Sequence, residues 1–155
     1  MLKRIVTVVL IALVCEAVAY GGLGSKKTKY LGGTVAGLKE GTEGVSSAKD
    51  ENDFVFEYKS GKLAIPYKSV TGIEYGQKAG RRVAVAILVT PLALFSKKRK
   101  HFLTLEYLDA AGKQQAGVFE LGKDVIRVTL TSLEARTGKQ IEYQDESARK
   151  AGRGN

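Results

Sequence analysis

Two stretches of the chain alternate apolar and polar residues with a period of two, and that period commits most of the sequence to antiparallel β-structure. Phe54, Phe56 and Tyr58 fall on one side of residues 53–59, with Asp53, Val55, Glu57 and Lys59 on the other; Leu63, Ile65 and Tyr67 resume the apolar side after a turn at Ser60 and Gly61. Successive side chains of a strand point to opposite faces, so the pattern predicts a hairpin with one buried face. Residues 101–108 repeat it with Leu103, Leu105 and Tyr107, residues 109–112 read as a turn, and residues 114–121 return as the partner strand. Pro66 lacks the donor a central strand needs and should end its strand or lie on an edge. Residues 70–77 add a short strand carrying Ile73 and Tyr75. Residues 30–45 hold brief apolar pieces broken by five glycines, a spacing that suits short strands and turns and opposes a helix.

Near the C-terminus the period changes. Ile126, Leu130 and Leu133 are spaced for one face of a helix over residues 124–137, with Asp124 as its cap, Arg136 in the last turn and Gly138 at the left-handed stop. Val125, Ile126, Val128, Thr129 and Thr131 are β-branched and lower the intrinsic propensity, so this helix must be held by packing onto the sheet. Residues 139–143 suggest one more short strand, and residues 144–155 read as a charged tail with no apolar anchor.

The N-terminus addresses the compartment. Lys3 and Arg4 precede an apolar stretch over residues 5–15, and Ala17, Val18 and Ala19 supply small residues before Tyr20, the three parts of a secretory signal over residues 1–19. Glu16 interrupts a stretch already shorter than the roughly 20 apolar residues that span a bilayer. Val14 is bulky where a lipoprotein signal wants a small residue before Cys15. Removal of residues 1–19 takes Lys3, Arg4 and Glu16 and lowers the formal charge from +9 to +8. It also takes the only cysteine, which excludes disulfides, thiol catalysis and cysteine metal sites from the mature chain. Residues 20–29, rich in Gly and Lys, read as a flexible lead-in to a single domain over residues 30–143.

Short strands in hairpins followed by one amphipathic helix is the element order of pleckstrin-homology-like domains. The stretch IPYKSVTGIEYG (residues 65–76) resembles the strand-turn-strand core of bacterial PH-like and GRAM-like domains, and residues 96–143 resemble an exported bacterial protein family of unknown function. The resemblance covers residues 53–148. It implies a mainly β fold, a bent antiparallel sheet or partly open barrel closed by one C-terminal α-helix, and it brings no catalytic residues. Members of that superfamily often bind lipids or peptides, but the lipid-binding motif of the eukaryotic domains has no residue-by-residue match here.

Function points to the connection between residues 77 and 101. Residues 83–95 (VAVAILVTPLALF) are apolar and lie between Arg81, Arg82 and Lys97, Lys98, Arg99, Lys100; from Tyr75 through Leu105 there are seven Lys or Arg and no carboxylate. As a helix the run would be about 20 Å long, short of the roughly 30 Å hydrocarbon core, and Pro91 would interrupt it as a strand. Two readings stand side by side. In one, residues 83–95 are a buried core element. In the other they form a protrusion whose basic rim meets an anionic membrane surface, or a hot spot for an envelope protein. The residues of such a contact are Arg81, Arg82, Ile87, Leu88, Leu92, Leu94, Phe95, Lys97, Lys98, Arg99 and Lys100.

Other chemistry is thinly represented. Cations spread over a face with stacking aromatics mark nucleic-acid binders; here the cations flank aliphatic residues, so nucleic acid is not expected. Residues 117–123 match the spacing of a phosphate loop, but Asp124 stands where Ser or Thr would ligate magnesium and residues 118–121 alternate like a strand, so no nucleotide is expected either. His101 is the only histidine, which leaves no metal site or cofactor to propose. The sequence thus predicts an exported, non-enzymatic binding module in the periplasm, on the envelope or outside the cell. The alternative is a secreted enzyme with a carboxylate-based site, which requires Glu57, Glu74 and Glu106 to converge in a cleft.

Overall fold

The computed structural model describes residues 27–77 and 100–154. The chain forms strands β1 (Lys27–Gly33), β2 (Glu43–Ser47), β3 (Asp53–Tyr58) and β4 (Gly61–Pro66), then a single 3-10 turn (Tyr67–Ser69). Strands β5 (Val70–Gly76), β6 (His101–Leu108) and β7 (Gln114–Leu121) follow, then helix α1 (Ile126–Thr137), strand β8 (Ile141–Tyr143) and helix α2 (Glu146–Arg153). The eight strands make one sheet in the order β4-β3-β2-β1-β7-β6-β5-β8, antiparallel except where β8 runs parallel to β5. With β4 and β8 as its edges, the sheet is not closed into a barrel. The mainly β architecture with a C-terminal helix is the one expected.

The hairpin pattern sets the register. Phe54 faces Ile65 and Phe56 faces Leu63 across β3 and β4, and Tyr58 faces Gly61, so the turn is Lys59 and Ser60, one residue earlier than expected. Pro66 is the last residue of an edge strand, where its missing donor costs nothing. Along the other half, one cross-strand row joins Tyr30, Phe119, Leu103, Tyr75 and Tyr143 through β1, β7, β6, β5 and β8. The Phe119 ring meets Tyr30 at 5.7 Å and both Phe54 and Phe56 at 5.5 Å, all edge to face. Since β1 and β2 lie between β7 and β3 in the sheet order, these contacts require the sheet to curl over its own inner face.

Helix α1 fills the mouth of that curl. Ile126, Leu130 and Leu133 are at most 1 % exposed and belong to the same core as Phe54, Ile65, Tyr67, Ile73 and Leu105. Gly138 takes the left-handed conformation (φ 67°) and its amide donates to the Glu134 carbonyl, stopping the helix where expected. The start differs. Val125 is the N-cap residue and no side chain caps it, so Asp124 lies before the helix instead of capping it.

Two boundaries are corrected. The strand begins at Lys27, inside the stretch read as a flexible lead-in, because Thr28 turns inward and is fully buried with its hydroxyl 2.6 Å from Ser46 Oγ on β2. The supposed charged tail is helix α2. Asp145 caps it by accepting from the Ala148 amide at 2.7 Å, Ala148 is fully buried, and a Cβ on Gly152 would come within 2.7 Å of the Tyr143 ring and 3.0 Å of Leu130. The anchor is made of small residues that permit close approach, which a search for large apolar side chains overlooks.

Candidate functional site

The end of the sheet from which the basic-apolar connection departs is built by four strand termini. Lys29 on β1 faces Glu120 on β7, Glu120 faces Phe102 on β6, and Phe102 faces Gly76 on β5. Residues 77 and 100 therefore leave and re-enter the fold on adjacent strands, at the same end where β1 begins and β7 finishes. Of the residues expected to meet a membrane or partner, Arg81, Arg82, Ile87, Leu88, Leu92, Leu94, Phe95, Lys97, Lys98 and Arg99 lie outside the described residues.

Lys100 is described. Its Nζ lies 2.9 Å from Glu120 Oε2, with the two side chains 31 % and 24 % exposed. A pair so open to water contributes at most about 1 kcal/mol. Its consequence is positional, since it ties the returning end of the connection to β7.

His101, the only histidine, is half-buried and stacks on Tyr75 with 6.0 Å between ring centroids. Tyr75 is fully buried, and its hydroxyl lies 2.5 Å from His101 Nδ1. Burial pushes the Tyr75 hydroxyl up to about 12, so it stays protonated and donates to a neutral imidazole. Burial, reinforced by the nearby Lys123 cation, holds the His101 pKa below its ordinary value of 6.5. Neither residue carries a sequence signal for this contact, because they are 26 positions apart and only the β5–β6 pairing brings them together.

The sign of the pH effect follows. Between the depressed folded pKa and 6.5 the unfolded chain binds more protons, so stability rises with pH through that window. It is complete above 6.5 and is lost as pH falls through the folded value. The melting temperature of the wild type should fall more steeply between pH 7 and about pH 5.5 than that of His101→Asn, whose amide oxygen takes the place of Nδ1 and can still accept from Tyr75. Parallel slopes for the two proteins would contradict the assignment.

The carboxylates required by the enzyme alternative do not converge. Glu74 and Glu106 stand on the outer face of neighbouring strands β5 and β6, but Glu57 is on β3, with β7, β1 and β2 between it and Glu106. Residues 117–121 of the phosphate-loop spacing are part of β7. A separate cleft of about 390 Å³ is lined by Glu51, Asn52, Asp53, Pro66, Tyr67, Lys68 and Arg136. There Arg136 lies over the Tyr67 ring at 5.5 Å and donates to the Lys49 carbonyl at 3.1 Å. Its two acids and two bases balance, so the cleft selects no charge class of ligand. Among the described residues no three His, Cys, Asp or Glu side chains are grouped to hold a metal ion, and no helix is long and apolar enough to cross a membrane. No family model, curated protein or solved structure matches the chain.

Proposed function

We propose that this protein is an exported, non-enzymatic, PH-like binding module that associates with an anionic membrane surface through residues 78–100. The observation that carries the reading is the placement of that connection. A segment with seven cations, no carboxylate and a 13-residue apolar run is rooted at both ends on adjacent strands of a well-packed sheet, at one end of the domain. The fold supports the PH-like part: two antiparallel meanders, β1–β4 and β5–β7, meet through β1 and β7, and a C-terminal helix plugs the curl. Residues 1–19 act as the signal for export.

Basic side chains near an anionic surface contribute on the order of 1 kcal/mol each, and each fully buried Leu, Ile or Phe adds roughly 1.5–3 kcal/mol. A few of each give reversible attachment. The protein should co-sediment with phosphatidylglycerol vesicles and not with phosphatidylcholine vesicles. Reversing Lys97, Lys98 and Arg99 to Glu should weaken binding by at least about a hundredfold at low salt, and by less as ionic strength rises. A wild type that ignores anionic vesicles would overturn the membrane reading and favour a protein partner.

A further inference from the structure

Four buried apolar side chains stand outside the inner core. Leu31 is 6 %, Phe102 5 %, Ala116 0 % and Val118 4 % exposed, yet none belongs to the cluster formed by Phe119, Leu103, Tyr75 and α1. The register explains why. In β6, Leu103, Leu105 and Tyr107 point inward, so Phe102 and Thr104 point outward; in β7, Phe119 and Leu121 point inward, so Ala116 and Val118 point outward. Val118 faces Thr104, which is itself only 7 % exposed, and Phe102 lies between Glu120 and Gly76, against which the Gln144 side chain packs.

The described helices do not cover this face. Ile126, Leu130 and Leu133 of α1 and Ala148 of α2 all join the inner core, and Gly152 of α2 meets Tyr75 and Tyr143 on the inner row. Glu120 and the Gln144 side chain border Phe102 at its edges, and side chains that stand beside a ring on a sheet do not lie over it. Something must lie over it.

We propose that the outer face of β1, β7 and β6 is a second packing surface, and that its occupant is the chain's own apolar run, residues 83–95. Three observations select that segment. The connection that contains it is rooted at residues 77 and 100, which adjoin the Gly76–Phe102 pair that borders the patch. The run offers 13 consecutive predominantly apolar residues, whereas residues 20–26, which enter at the same end through β1 and are all that precedes it once the proposed signal over residues 1–19 is removed, offer only Tyr20 and Leu23 as large apolar side chains. Charge is complementary as well: Glu74, Glu106 and Glu120 stand on the outer face of β5, β6 and β7, and the stretches that flank the run within residues 78–100 carry seven cations and no acid. The Lys100–Glu120 pair is one such contact.

A run apolar on all sides has more than one face to bury. Seating one of them on Phe102 and Val118 leaves another for a bilayer, so the packing is compatible with lipid binding and does not depend on it. It makes the segment a fixed platform on the sheet.

The test is disulfide scanning without lipid, in the exported chain, which has lost Cys15 with residues 1–19, so that introduced thiols are the only ones. Val118→Cys is combined in turn with Cys at Val85, Ile87, Val89, Leu92 and Leu94 and oxidised with copper phenanthroline. At least one pair should close within the monomer. The Val118→Cys thiol alone should react with maleimide at least about tenfold more slowly than a Leu108→Cys thiol on the exposed end of β6, since reaction at a covered site waits for local opening. Absence of every cross-link, equal labelling rates, or a cross-link to Leu23→Cys or between two monomers instead would overturn the proposal. Vesicle co-sedimentation reads out lipid binding separately, so the packing and the membrane reading can fail independently.

Discussion

Leu130→Asp should unfold the domain. Leu130 is 1 % exposed on α1, with its Cδ1 against Gly152 of α2 and its side chain in the core that holds Ile73 and Tyr75, so it joins both helices to the sheet. Truncation of a buried leucine to alanine costs about 2–5 kcal/mol through lost transfer energy and the cavity left behind. An aspartate at the same place adds a buried, unpaired carboxylate that must either be desolvated or be neutralised by a raised pKa. Together these approach the whole stability of a domain, about 5–15 kcal/mol. Circular dichroism should show no cooperative melt for Leu130→Asp at room temperature and a reduced melting temperature for Leu130→Ala. An aspartate variant that melts like the wild type would mean that α1 is not packed on the core.

Phe119→Ala should cost about 3–5 kcal/mol, the range for truncating a buried aromatic ring. Phe119 is fully buried, and its edge-to-face contacts with Tyr30, Phe54 and Phe56 each add about 0.5–1.5 kcal/mol beyond buried area. Because these rings belong to β1 and β3, the residue joins the two meanders, and its loss should lower the urea midpoint in a single transition without separating the halves. Val128→Ala, at a position 68 % exposed on α1, is the control and should change stability by no more than about 0.5 kcal/mol. A Phe119→Ala protein as stable as that control would contradict the curled sheet.

Much of this fold was legible because period-two alternation survives wherever one sheet face is buried. Strands β6 and β7 lie at the boundaries read from the sequence, and Phe54, Phe56, Leu63 and Ile65 occupy the expected face. The failures share a cause. Thr28 and Ala148 are small or polar, so nothing in their hydropathy marks them as buried; a strand partner in the one case and a close helix approach in the other decide it. The outward row was hidden in plain view. Phe102, Thr104 and Val118 lie opposite the apolar face that alternation picks out, and only their burial in the structure sets them apart from a solvated row. The site at the root of the connection was legible as composition, through its cations and apolar run. Its geometry was not, because the Tyr75–His101 contact depends on cross-strand register that no local pattern encodes.

Entry of residues 83–95 into an anionic bilayer can be read from a single introduced indole without background, because the chain lacks tryptophan. Tryptophan placed singly at Ile87, Leu88, Leu92, Leu94 and Phe95 should be quenched by phosphatidylglycerol vesicles with brominated acyl chains at one or more of these positions, and left unquenched by brominated phosphatidylcholine. Quenching at none of the five positions, in proteins that melt like the wild type, would contradict it.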